Sequence, residues 1–179
     1  MINEKYFTRM TQALAKNAKK KGICKEWHGR ILNSRTNDAL IGLYLDGIDF
    51  CLANDYPAVD FIEANFSRQK LEANGIYVNG RINAENVAKI VCLGDTRGNI
   101  KVDDYNTAEI YVKHDSEIGI VARGNAFVMV DVFDNAKVMV SAGDNAKVCV
   151  NRYGNAVVHP VEDGSGCRIK VINKQKTTY

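Results

Sequence analysis

The amino-acid sequence predicts an α+β protein, in which a small N-terminal helical domain is followed by a β-solenoid of about ten-residue strand-turn repeats. The phrase Asn-Ala-x-Val recurs at a step of ten residues, starting at Asn125, Asn135, Asn145 and Asn155. Apolar residues recur nearly every four positions before Gly75 and every two positions after it, which separates a helical region from half-buried strands. A short unit repeated at a fixed step is typical of a solenoid rather than of a sandwich.

The first helix is predicted from Ile2 to about Lys21, because apolar residues at steps of four share one helix face. Its end is basic, which suits the negative end of the helix dipole, and Gly22 is placed to terminate it. The apolar face is expected to consist of Ile2, Tyr6, Met10, Leu14 and Ala18.

The remainder of residues 1–74 is expected to complete the helical domain. Asp55 is expected to cap the last of its helices and Pro57 to lie in the first turn, where proline is tolerated. The segments are a connector over 26–35, a helix capped by Ser34 or Thr36 and running to about Leu52, and a helix over 58–66 that can continue over 67–74.

Residues 75–173 are assigned to the solenoid and residues 174–179 to a polar tail. Alternation points Ala126 and Val128 inward, and a Gly or Asp before each Asn tolerates the left-handed backbone of a corner. The Asn side chains are expected to satisfy main-chain groups at those corners. Residues twenty apart stack if two units make a turn and residues thirty apart if three do, and both arrangements remain open. The first inward positions are 88, 100, 108, 116, 126, 136, 146 and 156, with a late copy at Cys167.

The outward positions carry apolar residues where a solvated strand would carry polar ones. The same alternation directs five such side chains outward: Phe127, Met129, Met139, Cys149 and Val157. Soluble monomers rarely expose contiguous apolar surface of this kind. We therefore predict an interface with further copies of the chain, as a dimer or trimer, and the alternative is that the N-terminal helices cover this face.

Composition favours a cytoplasmic protein with no membrane segment. The chain has 179 residues and a net charge of +3, which neither requires nor excludes a polyanionic partner. It lacks the run of roughly 18 apolar residues that a transmembrane helix needs, and the N-terminus has no signal-peptide pattern. The five cysteines are scattered without any Cys-x-x-Cys, which is typical of free thiols in a reducing compartment.

A basic cluster follows the first helix. It consists of Lys19, Lys20, Lys21 and Lys25, followed by Trp27, His28 and Arg30. The favoured interpretation is a solvated and well-capped helix end. The alternative is a surface for a partner, including nucleic acid, with Trp27 and His28 as stacking groups.

No catalytic residue, metal site or cofactor is predicted. Residues 94–98 lack the Lys and the following helix of a phosphate-binding loop, and the three histidines have no ligand neighbour at helical or hairpin spacing. The acidic pairs are interpreted as helix surface and corner residues rather than as general acids and bases. One alternative remains, a nucleotide or sugar bound near Arg81, Asp95 and Arg97, where the helical domain should meet the first coil.

The phrase Asp-Asn-Ala-Lys-Val-x-Val resembles the short Asn-Ala-x-Val repeats of proteins from bacteriophages and gut-bacterial mobile elements, over about residues 100–158. In architecture alone the chain is similar to the polymer-forming bactofilin solenoids. These resemblances imply a non-enzymatic stem that oligomerises, with the helical domain presenting a surface to a host or phage protein. Inhibition of host antiviral defence is one role of that kind.

Overall fold

The computed structural model describes residues 4–179, which form two compact units. One unit extends to Lys70 and is helical, and the other spans Leu71–Thr178 and is a β-solenoid of parallel strands. The predicted fold class is thereby confirmed. Among the described residues, no helix combines the length and the apolar character needed to cross a membrane.

The helices are short after the first one, in line with the many glycine and turn residues between them. They are α1 Glu4–Lys20, α2 Lys25–Asn33, α3 Asn37–Asp46, α4 Ile48–Ala53, α5 Val59–Asn65 and α6 Arg68–Ala73.

The first helix ends as predicted, but its buried face is rotated. The N–H of Gly22 donates to Lys19 O at 3.1 Å and that of Ile23 to Ala18 O at 3.1 Å, with Gly22 at a φ of +88°. This pair of bonds is the Schellman ending. Tyr6, expected on the apolar face, is 49% exposed and Phe7 is buried instead, because a strict step of four drifts around a helix of 3.6 residues per turn. Ile2, also expected there, lies outside the described residues.

The expected connector at 26–35 is wrong, since most of it is helix α2, with Ile31 buried. The expected helix running to Leu52 is divided at Gly47, which ends α3 and starts α4. A Cβ on Gly47 would lie 3.2 Å from the Trp27 ring, so close packing of the ring selects glycine there.

The expected cap at Asp55 is also wrong. Asp55 takes a left-handed backbone with a φ of +46°, the Tyr56–Pro57 peptide is cis, and Ala58 precedes α5. A turn therefore occupies the place of the predicted cap, and Pro57 lies before α5 rather than in its first turn.

The strands begin immediately after Gly75, as the change of period predicts. They are β1 Ile76–Glu85, β2 Lys89–Val102, β3 Thr107–Val112, β4 Glu117–Ala122, β5 Phe127–Val132, β6 Lys137–Gly143, β7 Lys147–Arg152, β8 Val157–Asp163 and β9 Arg168–Asn173.

Two strands make one turn of the solenoid, so residues twenty apart stack. Phe127 pairs with Lys147 and Lys137 with Val157, all in parallel register. Odd strands from β3 onward form one side and even strands from β4 onward the other, while β2 contributes to both by pairing with β3 and β4. We call the outer surface of β3, β5, β7 and β9 the β5 face, and that of β2 (residues 97–102), β4, β6 and β8 the β6 face.

The interior consists of small and β-branched side chains, as the alternation predicts. The first inward alanines, Ala126, Ala136, Ala146 and Ala156, are all buried. Ile82 and Ala84 of β1 are buried too, whereas Ala88, expected to point inward, is exposed. The early copies are less regular because β1 stacks on β2 with a step of only fifteen or sixteen residues.

The corners differ in one respect from expectation. The left-handed residues are the ones before each Asn, among them Gly124, Asp134 and Asp144, as predicted. The Asn145 amide, however, donates to the Asn125 side chain at 3.3 Å rather than to a main-chain group. The main-chain N–H of Gly124 is instead accepted by the Asp144 carboxylate at 2.8 Å, so the aspartates satisfy the corner.

Candidate assembly surface

The β5 face combines an apolar centre with charged flanks. Phe127 and Met129 of β5 are 46% and 43% exposed, and half-buried Cys149 of β7 is in register with Met129. Neighbouring parallel strands lie about 4.8 Å apart, so these side chains are adjacent. They form a continuous apolar strip across two strands.

Charges on the β5 face change sign along the solenoid. Glu109 on β3 and Asp131 on β5 are acidic, whereas Lys147 on β7 and Lys170 on β9 are basic. Glu109 forms an ion pair with Lys89 at 3.4 Å, and Asp131 accepts a hydrogen bond from the Asn151 amide at 2.6 Å. The apolar strip therefore lies between an acidic and a basic edge.

The five predicted interface residues do not share one surface. Phe127, Met129 and Cys149 lie on the β5 face, whereas Met139 and Val157 lie on the β6 face. The division arises because successive ten-residue units alternate between the two sides of each coil. A contiguous patch of all five is therefore not formed.

The β6 face is dominated by a charge ladder. The Glu117 carboxylate forms ion pairs with Lys137 at 3.0 Å and with Arg97 at 3.5 Å, and these pairs link three successive coils. Met139 is 61% exposed beside this ladder. The charges of this ladder are already paired within the chain, whereas Lys147 and Lys170 on the β5 face form no ion pair with any residue from 4 to 179. The β5 face therefore offers more free charge to a partner.

Two exposed apolar residues of the solenoid were missed by sequence reasoning. Val161 lies on β8, outside the Asn-Ala-x-Val phrase, and is 51% exposed. Tyr105, 84% exposed, lies in the corner before β3. Alternation could have found Val161, because it is two residues beyond His159 on the same strand, whereas no periodic signal marks a corner residue.

The proposed ligand residues all lie in the solenoid unit and are exposed. Arg81 of β1 is in register with Arg97 of β2. Arg97 binds Asp95 at 2.8 Å and Glu117 at 3.5 Å, and the hydrogen bond that its guanidinium donates to the Asp95 carboxylate raises the pKa of Arg97. Arg97 is thus paired with carboxylates of the chain rather than left for an anionic ligand.

The basic cluster is partly engaged within the helical unit. The Arg30 guanidinium lies 4.4 Å above the centre of the Trp27 ring and binds Asp46 at 3.2 Å. Lys21 donates to the main-chain oxygen of Asn54. One face of Trp27 is therefore occupied by Arg30, and His28 is half-buried. Lys19, Lys20 and Lys25 remain exposed.

Two buried thiols, those of Cys51 and Cys92, are held in their neutral form. Burial raises the pKa of Cys51 to about 12 and raises that of Cys92 still further. The thiolate is the nucleophilic form, so neither side chain is activated for covalent catalysis.

Comparisons with protein-family models, with curated proteins and with solved structures yield no match for this chain.

Proposed function

We propose that this chain is a non-enzymatic assembly protein: its solenoid dimerises through the β5 face and its helical unit presents a surface to a second protein. The observation that supports the first half is the exposed pair Phe127 and Met129, held on a regular sheet between charged flanks. An apolar centre with a polar rim is the usual anatomy of a protein–protein interface.

The β5 face is complementary to itself about one two-fold axis. An axis in the interface plane, parallel to the strands and between β5 and β7, sets β5 opposite β7 and β3 opposite β9 of the second copy. The facing pairs are then Met129 with Cys149, Phe127 with Lys147, Asp131 with Asn151 and Glu109 with Lys170. No like charges meet in this arrangement, which favours a dimer over a trimer.

The footprint is small. Four strands about 4.8 Å apart and six residues long, at about 3.3 Å per residue, cover roughly 19 by 20 Å. That is roughly 380 Å² per copy, about half of the roughly 800 Å² per partner in a standard interface, so we expect a weak dimer with a dissociation constant in the micromolar range or higher. The measurement must therefore span protein concentration.

Sedimentation velocity from about 1 to about 200 μM tests the dimer. We expect reversible dimerisation by the native chain and none by Met129→Asp, because the carboxylate would be buried without a partner. Met139→Asp on the β6 face is the matched control and should dimerise normally. A strict monomer over the whole range, or equal loss with both variants, would overturn the assignment.

Charge reversal tests the axis separately. Lys170→Glu should weaken dimerisation, because it sets a glutamate opposite Glu109, and adding Glu109→Lys should restore it. If each single variant weakens dimerisation and the double variant does not restore it, the two-fold axis lies elsewhere on the face.

The helical unit is proposed to bind a protein through the exposed end of α1 and the start of α2. Lys19, Lys20 and Lys25 make no ion pair with any residue from 4 to 179, so their charges are available to an acidic surface. The resemblance to phage and mobile-element proteins makes a host protein the first partner to seek, with inhibition of antiviral defence as the role to test.

Co-purification from the native host, followed by mass spectrometry, tests whether the helical unit binds a protein. A partner retained by the native chain should be lost from a Lys19→Glu, Lys20→Glu variant and retained by Lys137→Glu on the solenoid. Recovery of nucleic acid instead of a protein, with binding that weakens steeply as salt rises, would favour the nucleic-acid alternative.

A further inference from the structure

The last coil of the solenoid leaves two strand edges open. Within residues 4–179, β8 pairs only with β6 and β9 only with β7, so one edge of each strand has no neighbouring strand. An edge of this kind presents main-chain N–H and C=O groups that can pair with a strand of another chain. The side chains at these two edges therefore decide whether copies of this chain can add end to end.

Two inward positions of β8 depart from the columns of side chains beneath them. Pro160 stacks on Val140 and Glu162 on Ala142, in the register of β6 and β8. The preceding coils fill the same columns with buried apolar side chains, which are Ile100, Ile120 and Val140 in one column and Val102, Ala122 and Ala142 in the other. The regular pattern of these columns thus breaks in the coil that ends the solenoid.

Pro160 removes a donor from the open edge of β8. The N–H of Val157 donates to Ala136 O at 2.9 Å, so the odd-numbered residues of β8 direct their main-chain groups to β6 and the even-numbered residues direct theirs away. A proline at position 160 therefore costs the ladder between β6 and β8 no hydrogen bond. Its ring nitrogen, which carries no hydrogen, lies where an incoming strand would need an N–H.

Glu162 occupies a donor on the open edge of β9. Its Oε1 accepts the main-chain N–H of Ile169 at 2.6 Å. That N–H points away from β7, because the N–H of the preceding residue, Arg168, donates to Ala146 O at 2.9 Å. A strand placed over this edge would have to displace the Glu162 carboxylate or bury it, and burial of an unpaired carboxylate is strongly unfavourable.

We propose that Pro160 and Glu162 close the C-terminal end of the solenoid against a second copy of this chain. The half-buried side chains of Val158, Ile169 and Val171 belong to the same coil, and two ends without this closure would bury them against each other. The inference rests on the proposed function for the dimer through the β5 face and adds that assembly stops there. An open end together with the β5 face would give each copy two separate contact surfaces, and so an open-ended chain of copies.

Restoring the residues of the preceding coil tests the closure. Pro160→Val and Glu162→Ala give β8 the inward residues that β6 has, and Met129→Asp removes the contact through the β5 face. In sedimentation velocity up to about 200 μM, we expect the triple variant to associate through its ends and Met129→Asp alone to remain a monomer. A triple variant that stays monomeric over this range would overturn the proposal.

The matched control combines Met129→Asp with Asp163→Ala. It also removes an acidic residue of β8, but one whose side chain is exposed and paired with Arg123, so it should remain a monomer. Association of this control equal to that of the triple variant would contradict a specific role of Pro160 and Glu162. Dimerisation by Met129→Asp alone counts against the β5 face instead, because the closure is judged by the growth of assemblies between that variant and the triple variant.

The hydrogen bond to Ile169 has a test that does not depend on association. In the Met129→Asp background, Glu162→Ala should raise the amide hydrogen-exchange rate of Ile169 at least about tenfold, whereas Asp163→Ala should leave it unchanged. NMR of the full chain measures both rates. An unchanged rate in the Glu162→Ala variant would show that the carboxylate does not occupy this donor and would contradict the proposal.

Discussion

The ring of Phe133 stacks on the ring of Tyr153, one coil further along the solenoid, with centroids 4.6 Å apart and planes inclined by 15°. Both rings are buried. In the preceding coil, Lys113 Nζ lies 5.8 Å from the Phe133 centroid and 2.8 Å from the Asp134 carboxylate. This edge of the solenoid is thus a column of aromatic and paired charged groups beside the Ala and Val interior.

Removing this stack should destabilise the fold strongly. Phe133→Ala is expected to cost about 3–5 kcal/mol in the free energy of unfolding, because it leaves a cavity and unstacks Tyr153. Phe127→Ala is the matched control, since that ring is 46% exposed, and it should cost less than about 1 kcal/mol. Urea unfolding at low protein concentration compares the two, and similar losses would contradict the difference in burial.

The corner at Asp144 should discriminate sharply between residue types. Asp144 has a φ of +55° and its carboxylate accepts the Gly124 N–H at 2.8 Å. Asp144→Asn keeps an acceptor and a tolerant backbone, so we expect a loss below about 1 kcal/mol. Asp144→Val loses the acceptor and strains the left-handed backbone, at a cost of about 2–4 kcal/mol. Thermal melting of both variants measures this order, and a reversed order would refute the role of the carboxylate.

Two glycines face very different neighbours. A Cβ on Gly98 would lie 1.9 Å from the main-chain oxygen of Ile82, at a φ of +145°, whereas one on Gly143 would meet the flexible Arg123 side chain at 1.6 Å. Gly98→Ala should therefore cost more than about 2 kcal/mol, because backbone must move. Gly143→Ala should cost less than about 1 kcal/mol, through loss of the exposed Arg123–Asp163 ion pair at 3.2 Å. Urea unfolding at pH 7 gives both values, and equal costs would contradict this account.

The helical unit should lose stability in alkali. Burial raises the pKa of Cys51 from its ordinary value of 9.0 to about 12, and burial also raises the pKa of Tyr56, whose hydroxyl donates to Leu14 O at 3.0 Å. The unfolded chain therefore releases these protons first as pH rises. The stabilisation from Cys51 is complete below pH 9.0, falls by about 1.4 kcal/mol per pH unit above it, and is lost by about pH 12.

Unfolding free energies measured between about pH 8 and about pH 10.5 test whether stability falls as pH rises. Cys51→Ala should be less stable than the native chain at neutral pH but should decline less steeply above pH 9, because it removes one titrating group. A parallel decline of the two proteins would show that Cys51 does not contribute.

Local chemistry alone predicted several features of the molecule. The ending of α1 at Gly22, the switch to strands after Gly75 and the left-handed corners at Gly124, Asp134 and Asp144 depend on residues close in sequence. Backbone preferences and side-chain period act over a few residues, so they can be read directly from the chain. The outward direction of Phe127 and Met129 follows from the same alternation.

Other features depend on residues that are distant in sequence and could not be predicted. Alternation cannot distinguish a stacking step of twenty from one of thirty, and that step decides whether Met129 lies beside Cys149, as it does, or beside His159. Phe133 lies outside the alternating positions of its strand, and its burial depends on Tyr153 in the next coil.

The sequence by itself determined that this chain winds into coils and which side chains point away from their axis, because a strand period and a turn residue are local properties. Only the tertiary structure decided which of those side chains become neighbours, such as Met129 and Cys149. The physical reason is that adjacency and burial depend on how separate segments stack, and no local preference specifies that stacking.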